Sequence, residues 1–310
     1  VGNPYASAMN TKKFIQDNYA HTTGTLYFWE HHESELGEGS GIDGHIFGGY
    51  IGGYATINYV TGVAADKIEG VSVNDNNGTY GLGDQEYKEP LPYIAIGQGF
   101  FIEGDKAGGA PIVFNNSQRA YVTEGDESVF FKTSQKSSKT TSTANLLPII
   151  KLGFEYKNTE ETLLHHQIAV SFQETNSFDF DKGYDSKVYG TANTDIYWKF
   201  PNDDNNYVIA GVQGISNELE VPLELVMDYS GQVNLMVDEI QNISRDIYIT
   251  DKLTGTSYDV KNEKITLTLE KGVYTDRFVL NFIENAALSV DDEILSTSTN
   301  IYADNENHNI

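Results

Sequence analysis

The chain contains no cysteine. Disulfides, thiolate metal sites and thiol nucleophiles are therefore excluded. The absence does not assign a compartment, because bacterial surface proteins also avoid cysteine. Positive charge is scarce as well: 20 Lys and Arg stand against 45 Asp and Glu, for a formal net charge of −25 over 310 residues. Such a surface repels phosphate backbones and anionic lipid, so neither nucleic acid nor a membrane surface is the expected partner. It favours divalent cations, and partners that are cationic or neutral and rich in hydroxyls. No apolar run approaches the ~20 residues of a membrane span. No charged-plus-apolar leader opens the sequence. It starts VGNPYAS without an initiator Met, which reads as a processed or partial chain.

What is present is aromatic and β-forming. Tyrosine (20) outnumbers Phe (15) and Trp (2) together. A tyrosine buries its ring while its hydroxyl meets a polar partner, which suits half-exposed strands and binding faces. Short apolar or alternating runs such as GTLYFWE, YATINYV, LLHHQIAVSFQ, NYVIAGV and KITLTLE are bounded by Gly, Asn and Asp clusters. This pattern predicts an all-β class: two antiparallel β-sandwich or jelly-roll-like domains in tandem. The one expected helix is short, within SAMNTKKFIQDNY, with Ser7 as its N-cap. Residues 133–145, TSQKSSKTTSTAN, have no apolar anchor and read as a Ser/Thr-rich linker. The expected organisation is a β-sandwich over 1–132, the linker 133–145, a second β-sandwich over 146–285 and an extended tail over 286–310. Within the second domain, Thr254-Gly255, Asn262-Glu263 and Lys271-Gly272 suggest turns of sequentially paired hairpins. Ile265, Leu267 and Leu269 alternate with Thr266, Thr268 and Glu270, giving one buried and one wet face.

The ordered set GNPYASAMNTKKFI, GTLYFWEH, GGYATINYVTG, IAIGQGFFIEG, IVFNNSQR, GYDSKVYG, YVIAGVQG, EVPLEL, IYITDKLTGTSYDV and DRFVLNF resembles an adhesin-like β-sandwich module. That module occurs in surface and secreted proteins of the Bacteroidota that the type IX secretion system exports. The resemblance covers nearly the whole chain. It implies an extracellular or outer-surface location, a strand preceding GNPY, and a sorting domain after the tail, where NIYADNENHNI resembles that domain's opening strand with Ala303 in place of the usual proline. It carries no catalytic residues.

The residues themselves offer three kinds of site. His31-His32 and His165-His166 each place two imidazoles on adjacent strand positions, which point to opposite faces and do not share one ion. Ordinary surface or half-buried histidine is the simpler reading, with His31, Glu33 and Glu35 on one face as a weak metal alternative. The oxygen-rich loops 73–86, 177–187 and 201–207 read either as turn chemistry or as calcium loops. Asp179, Asp181 and Asp185 in SFDFDKGYDSK are the best calcium candidates. Trp29, Tyr54 and Trp198 are the candidate sugar-stacking residues, with Tyr50, Tyr59 and Tyr207 also available; core packing is the competing reading for each. Paired carboxylates for glycoside hydrolysis arise by chance among so many acids. No nucleophile elbow or phosphate-cradling loop is present. The expected function is a non-catalytic surface or secreted structural or adhesin module. It needs no cofactor beyond a calcium candidate, its partners are glycans or surface proteins, and self-assembly into a fibre by strand addition is its extension. The alternative is a carbohydrate-binding accessory module of a polysaccharide-degrading enzyme.

Overall fold

The computed structural model describes residues 1–33, 50–68, 90, 92–105, 109–122, 147–157, 161, 163–190 and 192–284. The linker 133–145, the loop 73–86, Glu35 and the tail 286–310 lie outside the described residues. The described chain is all-β with one short helix.

The strands of its first part are β1 (Ala8–Asn10), β2 (Thr22–Glu33), β3 (Tyr50–Ile57), β4 (Gly62–Val63), β5 (Lys67–Ile68), β6 (Tyr93–Ile94), β7 (Phe101–Gly104) and β8 (Arg119–Ala120). The second part holds β9 (Ile149–Lys157), β10 (Leu163–Phe172), β11 (Ser186–Lys187), β12 (Asp195–Lys199), β13 (Asn206–Val212) and β14 (Val221–Met227). It continues with β15 (Gly231–Gln241), β16 (Tyr248–Asp251), β17 (Thr256–Asp259), β18 (Ile265–Leu269) and β19 (Gly272–Asn281). Three sheets result: β6-β1-β8, β4-β3-β2-β7, and a large one ordered β17-β16-β19-β14-β12-β13-β10-β9-β15-β18.

Helix α1 (Thr11–Asn18) begins three residues later than the Ser7 cap implied. Asn10 is the N-cap, its side chain accepting from Lys13 N. Met9 meanwhile pairs with Ile94 in β1. Asn18 closes the helix onto the rest: its amide donates to Phe14 O and Val113 O, and its Oδ1 accepts from Val113 N.

In the large sheet, burial follows the residue pattern. β9 departs from it: it is buried along all but its last residue although Lys151 and Glu155 lie within it, and these two pair with Glu239 and Lys264. β14 and β18 alternate, and Ile265, Leu267 and Leu269 point inward as expected. One apolar cluster takes residues from β9, β10, β12, β13, β14, β15, β16, β18 and β19. Strands at both ends of the sheet order therefore share one core, and the sheet wraps around it. The pairing is antiparallel except between β10 and β13. Only β16–β17 forms the expected sequential hairpin, around Gly255. β18 instead pairs with β15, and β19 with β14 and β16. The Asn262-Glu263 and Lys271-Gly272 segments are thus crossings between non-neighbouring strands. Turn residues mark where the chain bends but do not say which strand it meets next.

A second, smaller core joins α1 to Leu26, Phe28, Ala55 and Ile57 of the four-stranded sheet. The two parts of the chain are interleaved. β5 pairs with β10, and Val63 of β4 belongs to the large core. The segment 181–190 crosses in the other direction. Gly183 N donates to Thr23 O and Gly183 O accepts from Tyr59 N; Asn58 donates to Tyr184 O, and Tyr27 OH to Lys187 O.

Candidate functional site

The register of the four-stranded sheet sets out an aromatic face. Trp29 on β2 stands opposite Tyr54 on β3, and Tyr27 stands opposite Phe101 on β7. Tyr27 and Trp29 are two positions apart, so all four rings share one side of the sheet. Leu26, Phe28 and Ala55, at the intervening positions, fill the small core on the other side. The segment after β11 adds a fifth ring: Tyr189 stacks on Tyr27 at 4.9 Å and on Phe101 at 5.9 Å between centroids. Tyr54 sits at the centre, edge-on to Trp29 (5.0 Å), Tyr189 (4.7 Å) and Phe101 (5.7 Å). Gly190 lies against the Tyr54 ring, 3.6 Å from where its own Cβ would stand. Tyr27 is buried, but Trp29 is 49% exposed, Phe101 47% and Tyr189 44%.

Polar groups border the rings. Glu103, two positions beyond Phe101, lies 4.0 Å from Lys187 Nζ. Burial raises the Tyr27 hydroxyl's pKa, and the charge of Glu103 adds to the rise. That hydroxyl stays neutral and donates to Lys187 O at 3.0 Å. The face thus combines broad ring surfaces with a carboxylate, an ammonium and tyrosine hydroxyls.

The sequence candidates separate on this structure. Trp29 and Tyr54 come together. Trp198 does not join them: it is 0% exposed, in the large core beside Tyr207. Its reading as a ligand-stacking residue is corrected by that burial. Tyr207 is also buried and hydrogen-bonds Asp203, Tyr59 lies under Lys12, and the Tyr50 side chain is outside the described residues. Phe101 and Tyr189 were missed because nothing near either in sequence links it to Tyr54; the β2–β7 register and the 181–190 crossing bring them there.

The acidic loop 177–187 is a structural clasp. Asp185 is buried, its two carboxylate oxygens accepting from Gly211 N (2.6 Å) and Asp181 N (2.5 Å). Asp181 accepts from Ser177 N, while Asp179 is exposed. Burial pushes the Asp185 carboxyl up to about 8 despite those two N–H donors. Among the described residues no group of three or more His, Asp or Glu side chains is placed to hold a metal ion. β2 continues through His31 and His32 to Glu33. The side chains there lie outside the described residues.

His165 and His166 are buried rather than at the surface. They face opposite ways and meet separate carboxylates. His165 Nε2 is 2.8 Å from Asp238, which also accepts from Gln167. These groups reach one another over Gly153, where a side chain would collide with both His165 and Asp238. His166 Nδ1 bonds Asp66 and lies 3.5 Å from Asp195. Tyr156 OH donates to the other Asp66 oxygen at 2.6 Å, and Tyr197 OH to Asp195 at 2.7 Å. None of the carboxylates was singled out from sequence, since Asp66, Asp195 and Asp238 are far apart along it.

The chain matches, over residues 1–282, the family described as a domain of unknown function, DUF8693, and belongs to it. No curated protein and no solved structure matches it.

Proposed function

We propose that this chain is a non-catalytic surface or secreted module that binds neutral glycans on the aromatic face of its four-stranded sheet. The observation that carries this reading is the clustering of three half-exposed rings, Trp29, Phe101 and Tyr189, around Tyr54. A single exposed aromatic is ordinary, whereas a contiguous exposed set marks an interaction surface. Flat rings favour the C–H faces of a sugar by dispersion and by the negative ring face. Glu103, Lys187 and the tyrosine hydroxyls supply hydroxyl partners at the border. The net charge of −25 disfavours anionic polysaccharides. Export by type IX secretion and an adhesive role belong to the same proposal, resting on the ordered strand resemblance. An adhesin and an accessory module of a polysaccharide-degrading enzyme would use the same face.

The test is a glycan array of plant, algal and microbial polysaccharides, followed by calorimetry on the hits with wild type and W29A. Binding to a neutral glycan that is weakened at least tenfold by W29A, and little changed by salt, supports the reading. Absence of hits, or a hit indifferent to W29A and F101A, overturns it.

A further inference from the structure

The contact between β5 and β10 is too short to hold by its ladder alone. It consists of two residue pairs, Leu164 with Ile68 and His165 with Lys67. On that edge of β10 the neighbour changes, from β13 along Ala169–Phe172 to β5 at Leu164–His165. His166 sits between the two pairings. Asp66, the residue just before β5, comes from the first part of the chain. Among the described residues its side chain has two partners, His166 and Tyr156, and both come from the second part. Asp195 is held differently. It accepts from Ile196 N at 2.8 Å, Ala192 N at 3.2 Å and Tyr197 OH at 2.7 Å, all within its own segment.

Two carboxylates therefore face one imidazole. When the ring is charged, it compensates both. When the ring is neutral, two buried acids confront each other without a cation, and Asp66 keeps only uncharged donors, the Tyr156 hydroxyl and the ring's Nδ1–H. A buried ion pair that loses one charge is strongly destabilising, because the other charge is left uncompensated.

We propose that His166 is a proton-operated latch: charged, it holds Asp66 and the segment 64–68 against the large sheet, and on losing its proton to solvent base it releases that segment. The device is independent of the glycan-binding reading.

The facing groups do not all shift in one direction. Burial disfavours the charged ring, yet the charges of Asp195 and Asp66, with the Asp66 hydrogen bond, outweigh it and push His166 up to about 9. Asp66 is also penalised by burial, but the His166 charge and the His166 and Tyr156 hydrogen bonds bring it below its ordinary value. Asp195 goes the other way, because burial and the charge of Asp66 outweigh His166. Tyr156 on β9 and Tyr197 on β12 are held neutral by burial and these same acids. His165, the neighbouring cationic candidate, acts weakly on Asp66 and has its own partner in Asp238.

The experiment is an NMR titration of the intact chain from pH 6 to 10.5, following the His166 ring and amide-exchange protection at Asp66, Lys67 and Ile68. Protection factors are corrected for base-catalysed intrinsic exchange. The latch gives a His166 midpoint near 9 and a fall in protection of up to about 300-fold through that midpoint, with amides in β12 and β14 unaffected. In D66N the midpoint drops and the segment loses protection already at neutral pH. A wild-type midpoint at or below the ordinary histidine value, or protection at 66–68 that does not change through the midpoint, overturns the proposal. If D66N does not fold, the wild-type titration alone decides between these outcomes.

Discussion

A Cβ built on Gly24 would stand 2.8 Å from the Cα of Gly183. The two glycines touch backbone to backbone where β2 meets the clasp, and both have positive φ, 85° and 79°. The Gly183 N to Thr23 O bond at 3.1 Å fixes the approach from the next residue. G24A is expected to cost about 2–4 kcal/mol, from a strained backbone and an overpacked contact together. Gly97 is the control: its φ is 71°, but nothing lies within 4 Å of a Cβ there. G97A should cost about 1–2 kcal/mol, the conformational part alone. Urea unfolding midpoints compare the two. Equal losses would show that the close approach does not matter.

The two tryptophans should respond in opposite ways. Trp198 is fully buried between β13 and β14 partners, opposite Tyr207 and Leu223. W198A should cost about 3–5 kcal/mol and lower stability sharply. Trp29 is half exposed. W29A should cost about 1 kcal/mol or less in stability while reducing glycan affinity at least tenfold, the behaviour of an interface anchor. Thermal melts and calorimetry on the same two variants separate a core role from a binding role.

The strands were legible because their residues announce them locally. Ile265, Leu267 and Leu269 declare a half-buried strand in five positions. The run Ile149–Tyr156 declares a strand but not its burial on both faces, because Lys151 and Glu155 interrupt it. The pairing of strands was not legible in the same way. Which strand β18 meets depends on a core shared across the whole sheet, and no turn residue records that. The candidate site divides likewise. Trp29 and Tyr54 stood out as residue types, but Trp198 looked equivalent to them until burial distinguished it. Tyr189 and Asp66 take their meaning from partners more than 90 residues away, Tyr27 and His166. Loop 177–187 showed its oxygens but not their direction, which is toward backbone N–H groups.

That direction decides the expected response to calcium. Asp185 spends both carboxylate oxygens on Gly211 N and Asp181 N, and Asp181 spends one on Ser177 N. A hard cation requires six to eight free oxygens, supplied largely by ionised groups. A carboxyl that burial keeps protonated up to about 8 is a poor ligand at neutral pH. The melting temperature should therefore be the same in millimolar calcium and in excess chelator. A calcium-dependent rise that D179N and D181N abolish would restore the loop as a metal site.

Alkaline pH should weaken the fold through two groups at once. The folded values of Asp185, about 8, and His166, about 9, both lie above their unfolded values of roughly 4 and 6.5. A group whose pKa is raised by folding gives its full stabilisation below the unfolded value and loses it as pH rises through the folded one. The causes differ: Asp185 gains a charge where it is buried, and His166 loses the charge that two acids compensate. The sign is the same, so stability should fall from pH 7 to pH 10, with a slope of at most about 1.4 kcal/mol per pH unit for each group. Asp66, held below its ordinary value, acts in the opposite sense and loses its contribution only in acid. D185N removes one titrating group while keeping a neutral side chain that still accepts a backbone N–H. Its alkaline decline should be shallower than that of the wild type, leaving the His166 part. Melts at constant ionic strength across that range measure the difference, and a decline as steep in D185N as in the wild type would remove Asp185 from the account.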